Sequence, residues 1–186
     1  MMTMTSIYNA IVAAAIAIWL GLSPAQAQGN DLDRLFDSLR DPGTTDWQRI
    51  EEEIERRLSN SGSPSADLLL RRGMQALEAE DYGAAIDHLT ALTDHAPEFS
   101  EGWNARASAY FMAGLYGPAM QDLARVLTLE PRHFGALSGL GIMLEEMDEP
   151  ERALAAYRAA ARIHPHQPEI AAAIERLNRA TEGTAL

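Results

Sequence analysis

The sequence contains no cysteine and no lysine, and these two absences exclude several kinds of chemistry. Without cysteine the chain can form no disulfide, no thiolate nucleophile and no cysteine-ligated zinc site, and it has no cysteine to carry a lipid. Without lysine it can form no Schiff base and has no lysine nucleophile. All 15 basic residues are therefore arginine, a usage typical of a GC-rich genome. The fold must be stabilised by apolar packing alone.

Positive charge is scarce, because 27 acidic residues outnumber the 15 basic ones and give a net charge of −12. Nucleic-acid binding needs basic surface that displaces counterions, so this balance argues against a nucleic-acid partner. It equally disfavours binding to an anionic membrane surface. The apolar fraction of 47% is enough to build a core, so we expect a folded protein.

Charge is also absent from the first 30 residues, which look like an export signal. Residues 11–22 form an apolar run of the length of a signal-peptide core, and this run is short for a spanning helix. A proline follows, and Ala25-Gln26-Ala27 has the small-x-small pattern of a signal-peptidase site. We expect export to the periplasm with cleavage after Ala27. Because no basic residue precedes the run, an uncleaved membrane anchor and a buried cytoplasmic helix stay open.

The next segment, residues 28–65, contains two helical patterns and a turn-rich linker. The apolar residues that recur at helical spacing are Leu32, Leu35, Phe36 and Leu39 in the first pattern and Trp47, Ile50, Ile54 and Leu58 in the second. The first predicts a helix over 31–40, and residues 59–65 predict a linker. This helical pair either caps the exposed first face of the repeats that follow or serves as a partner-binding arm.

The most informative feature is a 34-residue period that recurs three times between Ala66 and Gln167. In each copy small residues stand where two helices would press together, large residues fill the space beside them, and a proline ends the second helix because it cannot continue one. The residues expected to make this packing are Gly73, Ala85, Pro97, Trp103, Ala107, Tyr110, Ala119, Pro131, Gly141, Ala153, Tyr157 and Pro165. The predicted helices span 66–79, 82–95, 100–113, 116–129, 134–147 and 150–163.

This spacing resembles the tetratricopeptide repeat, whose pattern runs Trp-x2-Leu-Gly-x2-Tyr, then Ala-x3-Phe, then Pro. The clearest copy carries it in Trp103, Ala107, Tyr110, Ala119, Leu123 and Pro131. The resemblance implies an all-α fold, an α–α superhelix of three helix hairpins, preceded by the helical pair and closed by a C-terminal capping helix. The predicted segments are a signal peptide at 1–27, a helical segment and linker at 28–65, repeats at 66–99, 100–133 and 134–167, and the capping helix and tail at 168–186.

In this family the first helices of successive hairpins line a concave groove that holds partner segments. The resemblance places the following residues in that groove: Leu70, Met74, Leu77, Asn104, Ser108, Phe111, Ser138, Ile142 and Glu145. Family members that clamp a partner's C-terminal carboxylate use Lys, Arg and Asn at such positions, and here only Asn104 fits. The groove is expected to be apolar in the middle and acidic at its edges, which suits a segment with apolar anchors and some basic residues. Met74, Phe111 and Ile142 could equally be ordinary core between repeats.

No motif indicates catalysis or metal binding. The pair of histidines around Pro165 is poorly spaced for chelation, and the acidic stretch 145–151 lacks the ligand spacing of a calcium loop. The sequence has no G-x-S-x-G, no phosphate-binding glycine loop and no H-E-x-x-H. We expect a protein without enzymatic activity, cofactor or metal that binds a protein or peptide partner as a module or scaffold in the bacterial cell envelope. The alternative is an accessory assembly factor for an envelope complex, of the cytochrome c maturation or cell division type.

Overall fold

The computed structural model describes residues 24–183, and it describes side chains from residue 31 to residue 180. The apolar core of the expected signal peptide lies outside the described residues. All three repeats lie in one compact unit, which begins at Leu35.

The described residues form helices and no strand, as the sequence predicts. In chain order the helices are α1 (Pro24–Arg40), α2 (Trp47–Leu58), α3 (Pro64–Glu78), α4 (Tyr82–His95), α5 (Ser100–Met112), α6 (Tyr116–Leu129), α7 (Phe134–Glu146), α8 (Pro150–Ile163) and α9 (Pro168–Gly183). The pairs α3–α4, α5–α6 and α7–α8 are the three predicted hairpins, and each of their six helices begins and ends within two residues of the expected positions. The predicted fold class is confirmed.

Helix α1 begins earlier than predicted, at Pro24 rather than at residue 31. Proline is tolerated at the first position of a helix because its missing N–H would have no partner there. The alanine and glutamine residues that follow are good helix formers, so the helix extends through them. The expected cleavage site after Ala27 therefore lies within this helix.

The turn inside each hairpin uses the same backbone conformation. The residue at the same repeat position has a left-handed φ in all three copies: 58° at Glu80, 74° at Gly114 and 57° at Asp148. In each turn the next residue's N–H donates to the carbonyl five positions earlier, which is the bond that closes a Schellman motif. These bonds are Asp81 to Ala76 at 2.9 Å, Leu115 to Tyr110 at 2.8 Å and Glu149 to Leu144 at 2.9 Å. Only the second copy places glycine, which adopts this φ without strain, at that position.

Helices within a hairpin approach closely at the small residues. A Cβ atom at Gly141 would lie 2.6 Å from a ring carbon of Tyr157, and one at Gly73 would lie 2.5 Å from the Leu89 side chain. The alanines at the corresponding positions, Ala85, Ala107, Ala119 and Ala153, are fully buried. Close contact here depends on the absence of side-chain volume.

Arg106 joins two hairpins through a buried network. Its guanidinium makes two bonds to Asp122, with Nε at 2.7 Å and Nη2 at 2.9 Å, and Nη1 donates to Thr93 at 2.8 Å. The same group lies 4.8 Å from the centre of the Trp103 ring. The hydrogen bonds to Asp122 raise the pKa of Arg106, and burial opposes them. Because Thr93 belongs to α4, Arg106 to α5 and Asp122 to α6, this cluster fixes the first repeat against the second.

The third repeat is closed by α9. Ile170, Ala173 and Leu177 of this helix are buried in one cluster with Leu144 of α7 and Tyr157 of α8. The apolar face predicted for the final helix is thus buried against the preceding hairpin, where an amphipathic helix covers the otherwise open end of the repeats.

Helix α2 is attached to the end of the third repeat, which differs from the expectation that the helical pair caps the exposed first face of the repeats. Trp47 of α2 stacks on His166 with ring centres 5.8 Å apart, and its ring also meets His164 edge-on at 5.5 Å. Gln167 donates to Glu51 at 2.9 Å. The linker of residues 59–65 explains this, because it lets α2 run back over the repeats that follow it in sequence.

His164 is completely buried at this attachment point. Its Nε2 lies 3.2 Å from Glu51 Oε1, but the geometry is unsuitable for a hydrogen bond, and neither ring nitrogen has such a partner among the described residues. Burial lowers the pKa of His164, and the charge of Glu51 opposes that effect. The neutral imidazole packs between Trp47 and Phe134.

Candidate functional site

The predicted groove residues lie on α3, α5 and α7, the first helices of the three hairpins. Neighbouring members of this set, α3 with α5 and α5 with α7, pack side by side. We call the surface that these three helices present on the side of the predicted groove residues the first-helix face.

Helix α2 lies across the N-terminal halves of α5 and α7. Glu55 and Leu58 of α2 line a cavity of about 280 Å³ together with Glu101 and Asn104 of α5 and Phe134 of α7. A helix of 12 residues is about 18 Å long, enough to cross two neighbouring helices. The chain's own α2 therefore occupies the first-helix face at the N-terminal halves of α5 and α7.

The C-terminal end of α2 reaches the first repeat. Arg56 and Asn60 line a second cleft, of about 600 Å³, with Asp67, Leu70 and Met74 of α3. Since Glu51, near the start of α2, is bonded to Gln167, the helix runs from the third repeat to the first. An extended or helical partner lying across all three first helices would follow the same line.

The predicted groove residues differ in accessibility. Leu70 is buried and packs in the core between the first two repeats. Half-buried positions are Leu77, Asn104, Phe111, Ser138 and Glu145, and exposed positions are Met74, Ser108 and Ile142. The open positions are therefore concentrated in the C-terminal halves of the three helices.

Two acidic residues on the first helices, Glu101 and the predicted groove residue Glu145, are already bound within the chain. Glu101 accepts from Asn104 at 3.2 Å and lies 3.0 Å from His133 Nε2. His133 Nδ1 accepts the N–H of Ala136 at 3.1 Å, so in the neutral ring Nε2 carries the proton and donates to Glu101. This contact joins α5 to the start of α7, and it leaves Glu101 poorly placed to select a partner.

Glu145 is the second such residue. It accepts from the Tyr157 hydroxyl at 2.8 Å and forms an ion pair with Arg176 of α9. The hydrogen bond from Arg176 lowers the pKa of Glu145, while burial raises the pKa of Tyr157. Glu145 thus links α7 to α8 and α9, a role that its position in the sequence does not suggest.

Three exposed apolar residues at the C-terminal ends of these helices were not singled out from the sequence. Met112 ends α5, Leu115 lies in the turn after it, and Met147 follows the end of α7. The predicted groove positions end at Phe111 and Glu145, just before these residues. The signals that could have indicated them were a methionine among the acidic residues of 146–149 and two large apolar residues beside the turn glycine in 112–117.

The described residues contain no cluster of three or more histidine, cysteine, aspartate or glutamate side chains that could hold a metal ion. Among the described helices, none has the length and apolarity required to cross a membrane.

Comparison with known proteins finds relatives that contain the same type of repeat. The chain is 36% identical over 137 residues to a TPR repeat-containing protein of Rhizobium etli, an alignment that covers 72% of this chain and 66% of that protein. It is similar to the Sgt2 TPR domain from Aspergillus fumigatus, with a TM-score of 0.62 and 25% identity over 66% of this chain and 83% of that one. It also has the fold of the first TPR of Spaghetti (RPAP3) bound to HSP90 peptide SRMEEVD, with a TM-score of 0.62 and 24% identity over 64% of this chain and 95% of that one. No family model matches the chain.

The chain spans only part of its curated relatives. It covers just under two thirds of the Rhizobium protein and 35% of a heat-shock protein cognate co-chaperone, sgt12, of Aspergillus fumigatus, to which it is 26% identical.

Proposed function

This chain belongs to the tetratricopeptide-repeat family, and we propose that it acts as a non-enzymatic protein-binding module that captures a partner segment on its first-helix face. The observation that carries the proposal is the group of exposed apolar side chains on that face, which includes Met74, Met112 and Ile142. A folded protein usually buries large apolar side chains, and a group of them on one face marks an interaction site.

The solved neighbours support a peptide-like partner. Spaghetti is bound to an HSP90 peptide, and another neighbour is the TPR2B domain of yeast Sti1 in complex with an Hsp70 peptide. These proteins use the same arrangement of helices to hold a short segment of another protein. The partner of the present chain is expected to be such a segment, although of different chemistry, because Asn104 alone among the predicted groove residues is of a type that clamps a terminal carboxylate.

We further propose that the protein works in the bacterial cell envelope as a scaffold. The support is the uncharged N-terminal region with its apolar run at 11–22 and the small-x-small pattern ending at Ala27. Mass spectrometry of the protein purified from its source should give a mature N-terminus at Gln28. Recovery of the full-length chain in the cytosol would contradict the export proposal.

The binding proposal is tested by affinity capture from the native envelope fraction with the tagged full chain, followed by mass spectrometry. We expect a partner that is retained by the wild type and lost with Ile142→Glu, because a charge is placed on the exposed apolar face. Leu68→Glu is the matched control, since Leu68 is exposed to a similar extent, 41% against 47%, but lies in the N-terminal half of α3. Absence of any captured partner would contradict the proposed function, and a partner retained equally by both variants would contradict its assignment to the exposed apolar face.

A further inference from the structure

We propose that the partner docks on the turn-side half of the first-helix face and that it is an amphipathic helix with arginine or lysine residues beside an apolar stripe. The turn-side half is defined by Met112, Leu115, Ile142 and Met147, by Met74, which also lines the cleft between α3 and the end of α2, and by the turns that follow α3, α5 and α7. This inference rests on the proposed function, and it specifies the site and the chemistry of the partner.

Helix α2 closes the other half of the face at α5 and α7. It crosses the N-terminal halves of these two helices, ends beside α3, and is attached to the third repeat through Trp47 and Glu51. A partner segment that lies across α5 and α7 must therefore use their C-terminal halves.

The exposed apolar residues of the described chain are concentrated in the turn-side half. Six large apolar side chains are exposed in the described part of the chain, and the five of the turn-side half are all of them except Leu68. Three of the five are methionines, whose flexible and polarisable side chains adapt to an incoming apolar surface. A row of apolar residues on neighbouring helices fits the apolar face of a helix lying in the groove between them.

The turns after α3 and α7 carry negative charge. Segments 78–81 and 146–149 contain three carboxylates each and no arginine, while the turn segment 112–117 is uncharged. Asp81 caps α4 by accepting the N–H of Ala84, and Glu149 forms a salt bridge to Arg152 of α8. The remaining carboxylates flank the turn-side half at its two ends, whereas Glu101 and Glu145 are bonded within the chain. Complementarity then requires positive charge on the partner.

The cleft between α3 and the end of α2 has mixed charge, since Arg56 and Arg71 line it together with Asp67 and Glu78. The excess of negative charge on this side therefore lies at the turns that follow α3 and α7.

The test uses two synthetic helical peptides of equal length, one of leucine and lysine and one of leucine and glutamate. Binding to the full chain is measured by fluorescence anisotropy at physiological salt. We expect the lysine peptide to bind and the glutamate peptide to bind at least tenfold more weakly. Equal binding of both peptides, or preference for the acidic one, would overturn the proposed partner chemistry.

Matched variants locate the site. We expect Ile142→Ser and Met147→Ser each to weaken the lysine peptide about tenfold, because each removes an apolar anchor worth about 1.4 kcal/mol. Leu68→Ser should change the affinity little, although Leu68 and Met147 have the same exposure of 41%. Circular dichroism melting shows that the variants are folded. An equal loss of affinity in all three variants would mean that the lysine peptide has no preferred site on the turn-side half, and it would overturn the proposed location.

The outcome of this experiment is separable from that of the proposed function. If the wild type and Ile142→Ser capture the same envelope partner equally well, the protein-binding function stands and the turn-side location is wrong. If the chain captures no partner at all, the proposed function itself fails.

Discussion

Replacing Gly141 with alanine should destabilise the protein, whereas the same replacement two residues earlier in the same helix should stabilise it. Glycine inside a helix is less favourable than alanine by about 0.5–1 kcal/mol, so the helix itself favours both changes. At Gly139 nothing lies within 4 Å of the new Cβ atom. The free energy of unfolding should therefore rise by about 0.5–1 kcal/mol in Gly139→Ala.

At Gly141 the new Cβ atom would lie 2.6–2.8 Å from three ring carbons of Tyr157. This ring cannot easily move away, because it is buried and its hydroxyl is bonded to Glu145. Overpacking of this kind costs about 1–3 kcal/mol. After the helix preference is subtracted, Gly141→Ala should lower the free energy of unfolding by about 1–2 kcal/mol.

Urea unfolding followed by far-ultraviolet circular dichroism measures both values, with an unchanged m-value showing that the same structure unfolds. The two variants should differ by about 2 kcal/mol. If Gly141→Ala is as stable as Gly139→Ala, then α7 and α8 do not meet at this glycine, and the packing of the third hairpin described above is wrong.

Three further predictions concern stability. Asp122→Asn should lower the free energy of unfolding by about 3–5 kcal/mol, because the guanidinium of Arg106 loses its counter-charge in a largely buried pair. The control is Glu98→Gln, at the exposed pair with Arg125, which should change the free energy of unfolding by less than about 1 kcal/mol in the same urea titration. Asp148 and Gly114 both have a left-handed φ, which glycine adopts without strain. Asp148→Gly should therefore raise the thermal midpoint and Gly114→Ala should lower it, each by the equivalent of about 1 kcal/mol, and shifts of the same sign would contradict this. Burial lowers the folded-state pKa of His164, so protonation favours the unfolded chain. The free energy of unfolding should therefore fall as the pH drops below about 6.5, the ordinary pKa of histidine, and His164→Phe should reduce that fall. An identical pH dependence in both proteins would contradict a buried neutral histidine.

The helices of the repeats could be predicted closely because local sequence defines them. Prolines such as Pro97 stop the second helices, and small residues such as Gly141 set where two helices meet. These signals recur every 34 residues, so a position that is ambiguous in one copy can be assigned from the other two. The turn at Asp148 was predictable in position, but its left-handed φ was not, because only one copy carries glycine there.

The position of α2 could not be predicted, since it depends on contacts far apart in sequence. The apolar stripe of Ile50 and Ile54 indicates that the helix needs burial, but it does not indicate against which surface. Contacts with His166 and Gln167 lie more than 100 residues away, and a linker allows either direction. The covered half of the first-helix face follows from this placement and was therefore not expected.

The candidate site was only partly predictable for a similar reason. Family positions point to α3, α5 and α7 as the helices of the predicted groove, but they do not reveal that Arg176 of α9 binds Glu145. A carboxylate on the predicted rim was taken as available to a partner, although its charge is compensated within the chain. Met112 and Met147 were missed because turns were interpreted as connections.

Photo-crosslinking inside the source cells tests the central claim, partner capture on the turn-side half of the first-helix face, most directly. A photo-reactive amino acid replaces Ile142 in one strain and Leu68 in another, and the adducts are identified by mass spectrometry. We predict one dominant crosslinked protein from position 142 and none of it from position 68. The same adduct from both positions, or from position 68 alone, would contradict the account.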